Sequence, residues 1–234
     1  MSHFLAEMLG TMILVLLGDG VVANCLLGKT KGNNAGLIVI ATGWAFAVGI
    51  PAWIFGAASG AHFNPALTLG LATIGKFPWA DVPTYIAGQM LGGFLGACLV
   101  YIHYLPHWAA TEDKDAKLAV FCTGPAIKST PANFISEFIG TFILVFGILG
   151  LGAVQMAPGL NTLAVAFLIW VIGVSLGGTT GYAINPARDL GPRIAHFLLP
   201  IPGKRDSDWG YSWIPVIAPI CGAVVAALFY HAIF

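Results

Sequence analysis

Gly60-Ala61-His62-Phe63-Asn64-Pro65-Ala66 and Gly181-Tyr182-Ala183-Ile184-Asn185-Pro186-Ala187 are two versions of one phrase. Each lies in a run too apolar for a surface loop and is followed by too few residues to complete a membrane span. Asparagine is a preferred helix N-cap, and proline is favoured at the first helical position. Each Asn-Pro-Ala triplet therefore predicts the start of a short helix, at about 64 to 74 and 185 to 197, whose free N–H groups point back along the chain. If both starts lie near the middle of a bilayer, their positive dipole ends face one place.

The composition supports a bilayer as the solvent. Of 234 residues, 58% are hydrophobic and 9% charged, with a mean hydropathy of +0.85, whereas a soluble domain carries roughly 25% charge. A span needs about 20 apolar residues, and six stretches qualify: roughly 4 to 27, 35 to 56, 82 to 104, 133 to 154, 160 to 179 and 212 to 234. Helices and closed barrels are the two structures that satisfy backbone groups in lipid. Uninterrupted apolar runs lack the period-two alternation of a barrel strand, which leaves helices. The 30 glycines then let helices approach closely where no water drives them together.

Met1-Ser2-His3 runs directly into a full-length span with no small-residue cleavage site, so the first segment is expected to remain as a helix. Cys25, Cys98, Cys122 and Cys221 show no C-x-x-C spacing, three of them sit in apolar segments, and they read as buried free thiols. A net charge of zero gives no footprint for nucleic acid.

The chain also repeats itself. Ala6-Glu7-Met8-Leu9-Gly10-Thr11 opens the first span and Ser136-Glu137-Phe138-Ile139-Gly140-Thr141 the fourth, while Gly92-Gly93 in the third corresponds to Gly222-Ala223 in the sixth. Three spans per half is an odd number, so the second half must lie upside down relative to the first. The expected fold is an all-α membrane protein of six transmembrane helices and two re-entrant half-helices in an inverted repeat. It forms one domain over 1 to 234, with repeats of about 1 to 104 and 133 to 234. The connector, 105 to 132, carries Pro106, Glu112, Asp113, Lys114, Asp115, Lys117, Pro125 and Pro131 and reads as solvated.

The two Asn-Pro-Ala motifs, the paired Glu-x-x-Gly-Thr openings and the Asn185-Pro186-Ala187-Arg188-Asp189 extension together resemble the aquaporin superfamily over nearly the whole chain. Within it the sequence is similar to the aquaglyceroporin, or glycerol facilitator, branch. That resemblance maps an outer selectivity filter onto Trp44, Gly173, Tyr182 and Arg188. Water-only members usually have histidine where Gly173 stands and a small residue where Tyr182 stands. Asp189, Arg193 and the Pro215-Val216 pair follow the glycerol-channel pattern, and Tyr182 departs from it, since phenylalanine is expected there.

What the resemblance implies is a passive channel for glycerol, other small neutral solutes and water. Lipid would surround a homotetramer with one pore per subunit, in the cell membrane, multi-pass, with cytoplasmic termini. No cofactor, metal or enzymatic step is expected. Gly60, Ala61, His62 and Phe63, with Ala183 and Ile184, would line the pore by backbone carbonyls and side chains. Non-helical backbone is tolerated at that depth where it lines a cavity. Asn64 and Asn185 would donate amide protons to the passing oxygen, and two positive helix ends plus Arg188 would repel protons and cations. Glu7 and Glu137, costly inside spans, would accept hydrogen bonds from the lining loops, and Asp189 would support the second loop. Asp19 has Leu149 as its nearest counterpart in the second half and reads as a cap at the outer end of the first helix. Trp53, Trp79, Trp108, Trp209 and Trp213 take a lipid-belt or loop reading.

Two rivals are a water-selective aquaporin, disfavoured by Gly173, and an ion-coupled transporter, which needs a carboxylate or ion-binding cluster beside a helix break. The scattered histidines show no metal spacing. The Lys/Arg distribution opposes the expected topology: Lys76 alone falls in the connections between spans two and three and four and five, and the other nine fall on the opposite side.

Overall fold

The computed structural model describes all residues, Met1–Phe234, as helices joined by turns. In chain order the helices are α1 (His3–Leu26), α2 (Leu37–Ser59), α3 (Pro65–Thr73), α4 (Val82–His103), α5 (Leu105–Ala110), α6 (Lys114–Phe121), α7 (Thr130–Gly152), α8 (Leu160–Leu176), α9 (Pro186–Leu198) and α10 (Ile214–Ile233). Helices α1, α2, α4, α7 and α10 are long and apolar enough to cross a membrane. The sixth expected span, α8, has 17 residues and stops at Leu176 rather than continuing to 179. At 1.5 Å per residue it covers about 25 Å of a hydrocarbon core about 30 Å thick. Proline stands in the first turn of α3, α4, α5, α7, α9 and α10, where its missing N–H costs nothing.

Bare backbone at glycine sets the spacing between helices. Along α4, a Cβ added to Gly88, Gly92 or Gly96 would lie 2.7 Å from the Phe4 carbonyl oxygen, 2.2 Å from that of Met8 and 2.5 Å from that of Met12. This four-residue stripe seats α4 on α1. In the second half, Gly222 of α10 makes the equivalent approach to α7, with its added Cβ 2.4 Å from the Phe138 oxygen. The short helices cross over between halves: α3 packs against α10 and α9 against α4. There too the contacts are made at glycine, with added Cβ atoms at Gly70 3.0 Å from the Ala223 oxygen and at Gly93 2.5 Å from the Ala187 oxygen.

Two expectations need correction. The 105 to 132 connector is not simply solvated: it folds as α5 and α6 back onto the helices, with Trp108 fully buried and its indole N–H donating to the Tyr101 carbonyl at 2.9 Å. The charges that made it look solvated, Glu112 to Asp115, do face out, while Trp108, Leu118 and Phe121 face in. Asp19 is not a cap either, because α1 runs on to Leu26 and encloses Asp19 completely. The four cysteines are free, with Cys25 and Cys122 buried.

Adding a methyl group where backbones touch should cost about 1 to 3 kcal/mol or more through overpacking. Gly92→Ala and Gly222→Ala are therefore expected to lower the thermal midpoint in detergent, whereas Gly56→Ala, with open space around its Cβ, should leave it unchanged or slightly raised. Equal midpoints for the three variants would refute the close-approach account.

Candidate functional site

The backbone ahead of each Asn-Pro-Ala triplet takes positive φ at the glycine and at two residues that carry a Cβ: Ala61 and Phe63 at φ of 53° and 48°, Tyr182 and Ile184 at 40° and 44°. Side chains with a Cβ avoid this region at a cost of roughly 1 to 2 kcal/mol per residue, so something must hold it. Two buried carboxylates do. Glu7 of α1 accepts from the N–H groups of His62 (3.0 Å) and Phe63 (2.7 Å), and also from Ser59 Oγ (2.6 Å) and Gln89 Nε2 (2.8 Å). Glu137 of α7 accepts from the N–H groups of Ala183 (3.0 Å) and Ile184 (2.9 Å) and from Thr180 Oγ1 (2.6 Å).

Each loop then delivers its asparagine. Asn64 Oδ1 accepts from the Ala66 N–H at 2.9 Å and Asn185 Oδ1 from that of Ala187 at 3.0 Å, so both cap their helices. Their amide nitrogens reach across: Asn64 Nδ2 donates to the Ile184 carbonyl and Asn185 Nδ2 to the Phe63 carbonyl, both at 2.8 Å. An amide nitrogen carries two protons, so this clasp leaves one on each for a guest. Pro65, Ala66, Pro186 and Ala187 form the first turns, buried where the two helix starts meet.

The starts open on a cavity of about 80 Å³, lined by 18 residues of which 14 are hydrophobic. Its polar groups are few: Asn64, Asn185, His62, Arg188 and the loop backbone. His62 Nδ1 lies 3.0 Å from Thr68 Oγ1, which fixes the ring. Leu14, Leu67, Leu144 and Ile169 supply apolar wall that sequence reading did not single out. The lining and outward faces of these helices are both apolar, so no periodic signal marks a lining residue.

At one end of the cavity Arg188 stacks on Trp44, its guanidinium carbon 4.0 Å from the ring centroid. Arg188 Nη1 donates to the Phe121 carbonyl and to Asp19 Oδ1, both at 3.4 Å. Tyr182 completes the corner, and its hydroxyl is buried without a partner. Gly173 does not itself line the cavity: a Cβ there would lie 2.8 Å from Tyr182 Cζ and 2.9 Å from its hydroxyl oxygen. The glycine makes room for the tyrosine ring instead of leaving open space. Gly60 is likewise not a lining residue: it is exposed, as the left-handed C-cap of α2 (φ 80°).

Asp189 lies under this corner, outside the cavity. It accepts from the Thr123 N–H (2.8 Å) and hydroxyl (2.7 Å) and pairs with Arg193 at 2.9 and 3.0 Å. Arg193, wholly buried, extends to the carbonyls of Thr123 and Ser207. This knot ties the connector and the 199 to 213 segment to α9. The i,i+4 spacing of Asp189 and Arg193 was its one visible signal in the sequence.

Residues 1–230 of the chain match the family model described as "Major intrinsic protein". The chain belongs to the major intrinsic protein family. It is 62% identical, over 100% of both chains, to the probable glycerol uptake facilitator protein of Thermotoga maritima. It is 56% identical to the glycerol uptake facilitator protein of Bacillus subtilis, over 100% of this chain and 85% of that one. Among solved structures it resembles the aquaglyceroporin from Plasmodium falciparum, with a TM-score of 0.86 and 32% identity over 99% of this chain and 95% of the other. As a major intrinsic protein the chain is a multi-pass membrane transport protein and not an enzyme.

Replacing Glu137 by leucine strands the Thr180 hydroxyl and two buried N–H groups, each worth about 1 to 3 kcal/mol. Glu137→Gln keeps part of the acceptor set. The expected order of thermal midpoints is wild type, then Glu137→Gln, then Glu137→Leu. A leucine variant as stable as wild type would show that the carboxylate does not hold the loop.

Proposed function

We propose that this major intrinsic protein is a passive channel for glycerol and other small neutral solutes, and for water, and that it excludes protons and ions. The observation that carries the reading is the cavity itself. One file of polar groups, from His62 through the asparagine pair to Arg188, runs along an otherwise apolar wall, with the guanidinium stacked on Trp44 and Tyr182 beside them. A polyol fits such a surface, its carbon hydrogens against rings and aliphatic side chains, its hydroxyls donating to carbonyls and accepting from amide and guanidinium protons. Binding at each station is weak enough to release the solute to the next. Two helix N-termini directed at the asparagine pair, with Arg188 beyond, raise the energy of a cation there. The relatives named for glycerol uptake support the same substrate.

In this reading Trp44, Gly173, Tyr182 and Arg188 form the filter, with Gly173 acting through the tyrosine it seats. The chain is organised as two inverted repeats, assembled as a homotetramer with one pore per subunit and with cytoplasmic termini. The contrary Lys/Arg distribution has a physical reason. Arg188, Arg193 and Lys117 are buried, Lys204 donates to the Phe197 and Leu199 carbonyls at the end of α9, and Arg205 pairs with Asp115. Charges consumed in structure are poor topology signals, and Lys29, Lys31, Lys114 and Lys128 are left as exposed cations on that side.

Proteoliposomes under a glycerol gradient and a sucrose gradient test the function. Wild type should re-swell rapidly in glycerol. In Gly173→His the added side chain displaces the Tyr182 ring into the cavity, and re-swelling should be lost while water flow persists. Water flow without glycerol flow in the wild type would instead favour the water-selective alternative.

A further inference from the structure

Asp19 is a charged residue inside a span, fully buried, that the chain's repeat does not demand. The spacing that relates Glu7 to Glu137 relates Asp19 to Leu149, and the register that relates Asn64 to Asn185 relates Leu67 to Arg188. The second-half counterpart of the Asp19–Arg188 ion pair is thus a leucine pair, and Leu67 and Leu149 belong to one apolar cluster. The fold accepts apolar side chains at this level, and a buried ion pair is poor evidence of stability beside such an alternative. The pair also leaves Asp19 Oδ2 without a partner, a penalty of about 1 to 3 kcal/mol that stability alone would not retain.

What Asp19 does touch is the filter. Arg188 Nη1 has two acceptors, the Phe121 carbonyl and Asp19 Oδ1. The residue before Asp19, Gly18, is where the Trp44 ring lies on α1: a Cβ there would be 2.2 Å from Trp44 Cζ3. Consecutive residues of α1 therefore seat the indole and tether the guanidinium stacked on it. Resting on the channel reading above, we infer that Asp19 is a positioning residue for Arg188, and that this tether sets the upper size of solute the filter passes. Without the carboxylate, Arg188 keeps a single carbonyl acceptor on Nη1. It then leaves the indole for water at the mouth, and the aperture widens.

Permeability to three-, four- and five-carbon polyols, measured by light scattering on proteoliposomes with equal amounts of channel, tests this. Asp19→Asn preserves shape and removes charge, and Asp19→Ser serves if the asparagine variant does not assemble. The five-carbon to three-carbon permeability ratio should rise about threefold or more, a coupling of ordinary size for contacting residues. In an Arg188→Leu background the same Asp19 substitutions should leave the ratio unaltered. A fall in flux with the ratio unchanged would overturn the inference, since it would mark a merely structural carboxylate. So would an equal rise in the Arg188→Leu background, because Asp19 would then act without the arginine. A wild type that passes no glycerol would overturn the channel reading, and this inference with it.

Discussion

The structure depends on two buried carboxylates holding two stretches of backbone in a conformation those residues avoid. A β-branched residue such as Ile184 at φ of 44° is strained, and the strain persists because Glu137 gathers the N–H groups of Ala183 and Ile184 on one side chain. Glu7 does the same for His62 and Phe63. An ionised side chain at membrane depth is expensive. Here each carboxylate is satisfied by the loop it organises, so the cost of its burial and the cost of the strained loop are met by the same hydrogen bonds.

Those loops could not reach each other without the glycines. Close approach of α4 to α1 and of α10 to α7 brings the two carboxylate-bearing helices inward, and crossed packing of α3 on α10 and α9 on α4 locks each half into the other. The asparagine clasp, Asn64 to the Ile184 carbonyl and Asn185 to the Phe63 carbonyl, is the result. Neither half can form its own cavity wall, because each asparagine finds its cross-partner in the other half.

Beyond the clasp the two halves diverge, and the divergence is chemical. Leu67 and Leu149 belong to one apolar cluster, while their counterparts Arg188 and Asp19 form a charge pair. The Asp189–Arg193 knot then fastens the connector over that end, so the Phe121 carbonyl is in place for Arg188. The geometry of this corner rests on a stack of dependencies, in which Gly18 seats Trp44, Gly173 seats Tyr182, and α6 supplies the carbonyl.

Local reading of the chain was enough for the helical membrane class, the two half-helices to within a residue or two, and the identity of the loop-holding glutamates. Each of these is written in local or periodic signals: apolar length, an N-cap before proline, a repeated phrase. It misread what depends on partners far away in the chain. Asp19 looked like a helix cap because its counter-charge lies on α9. Trp108 and its connector looked solvated because the acidic run beside them does face water. That Gly173 seats a ring was invisible because the tyrosine that fills its space comes from a different loop. These needed the folded molecule, since burial and pairing are set by which helices glycine lets come together, and no residue carries that information alone.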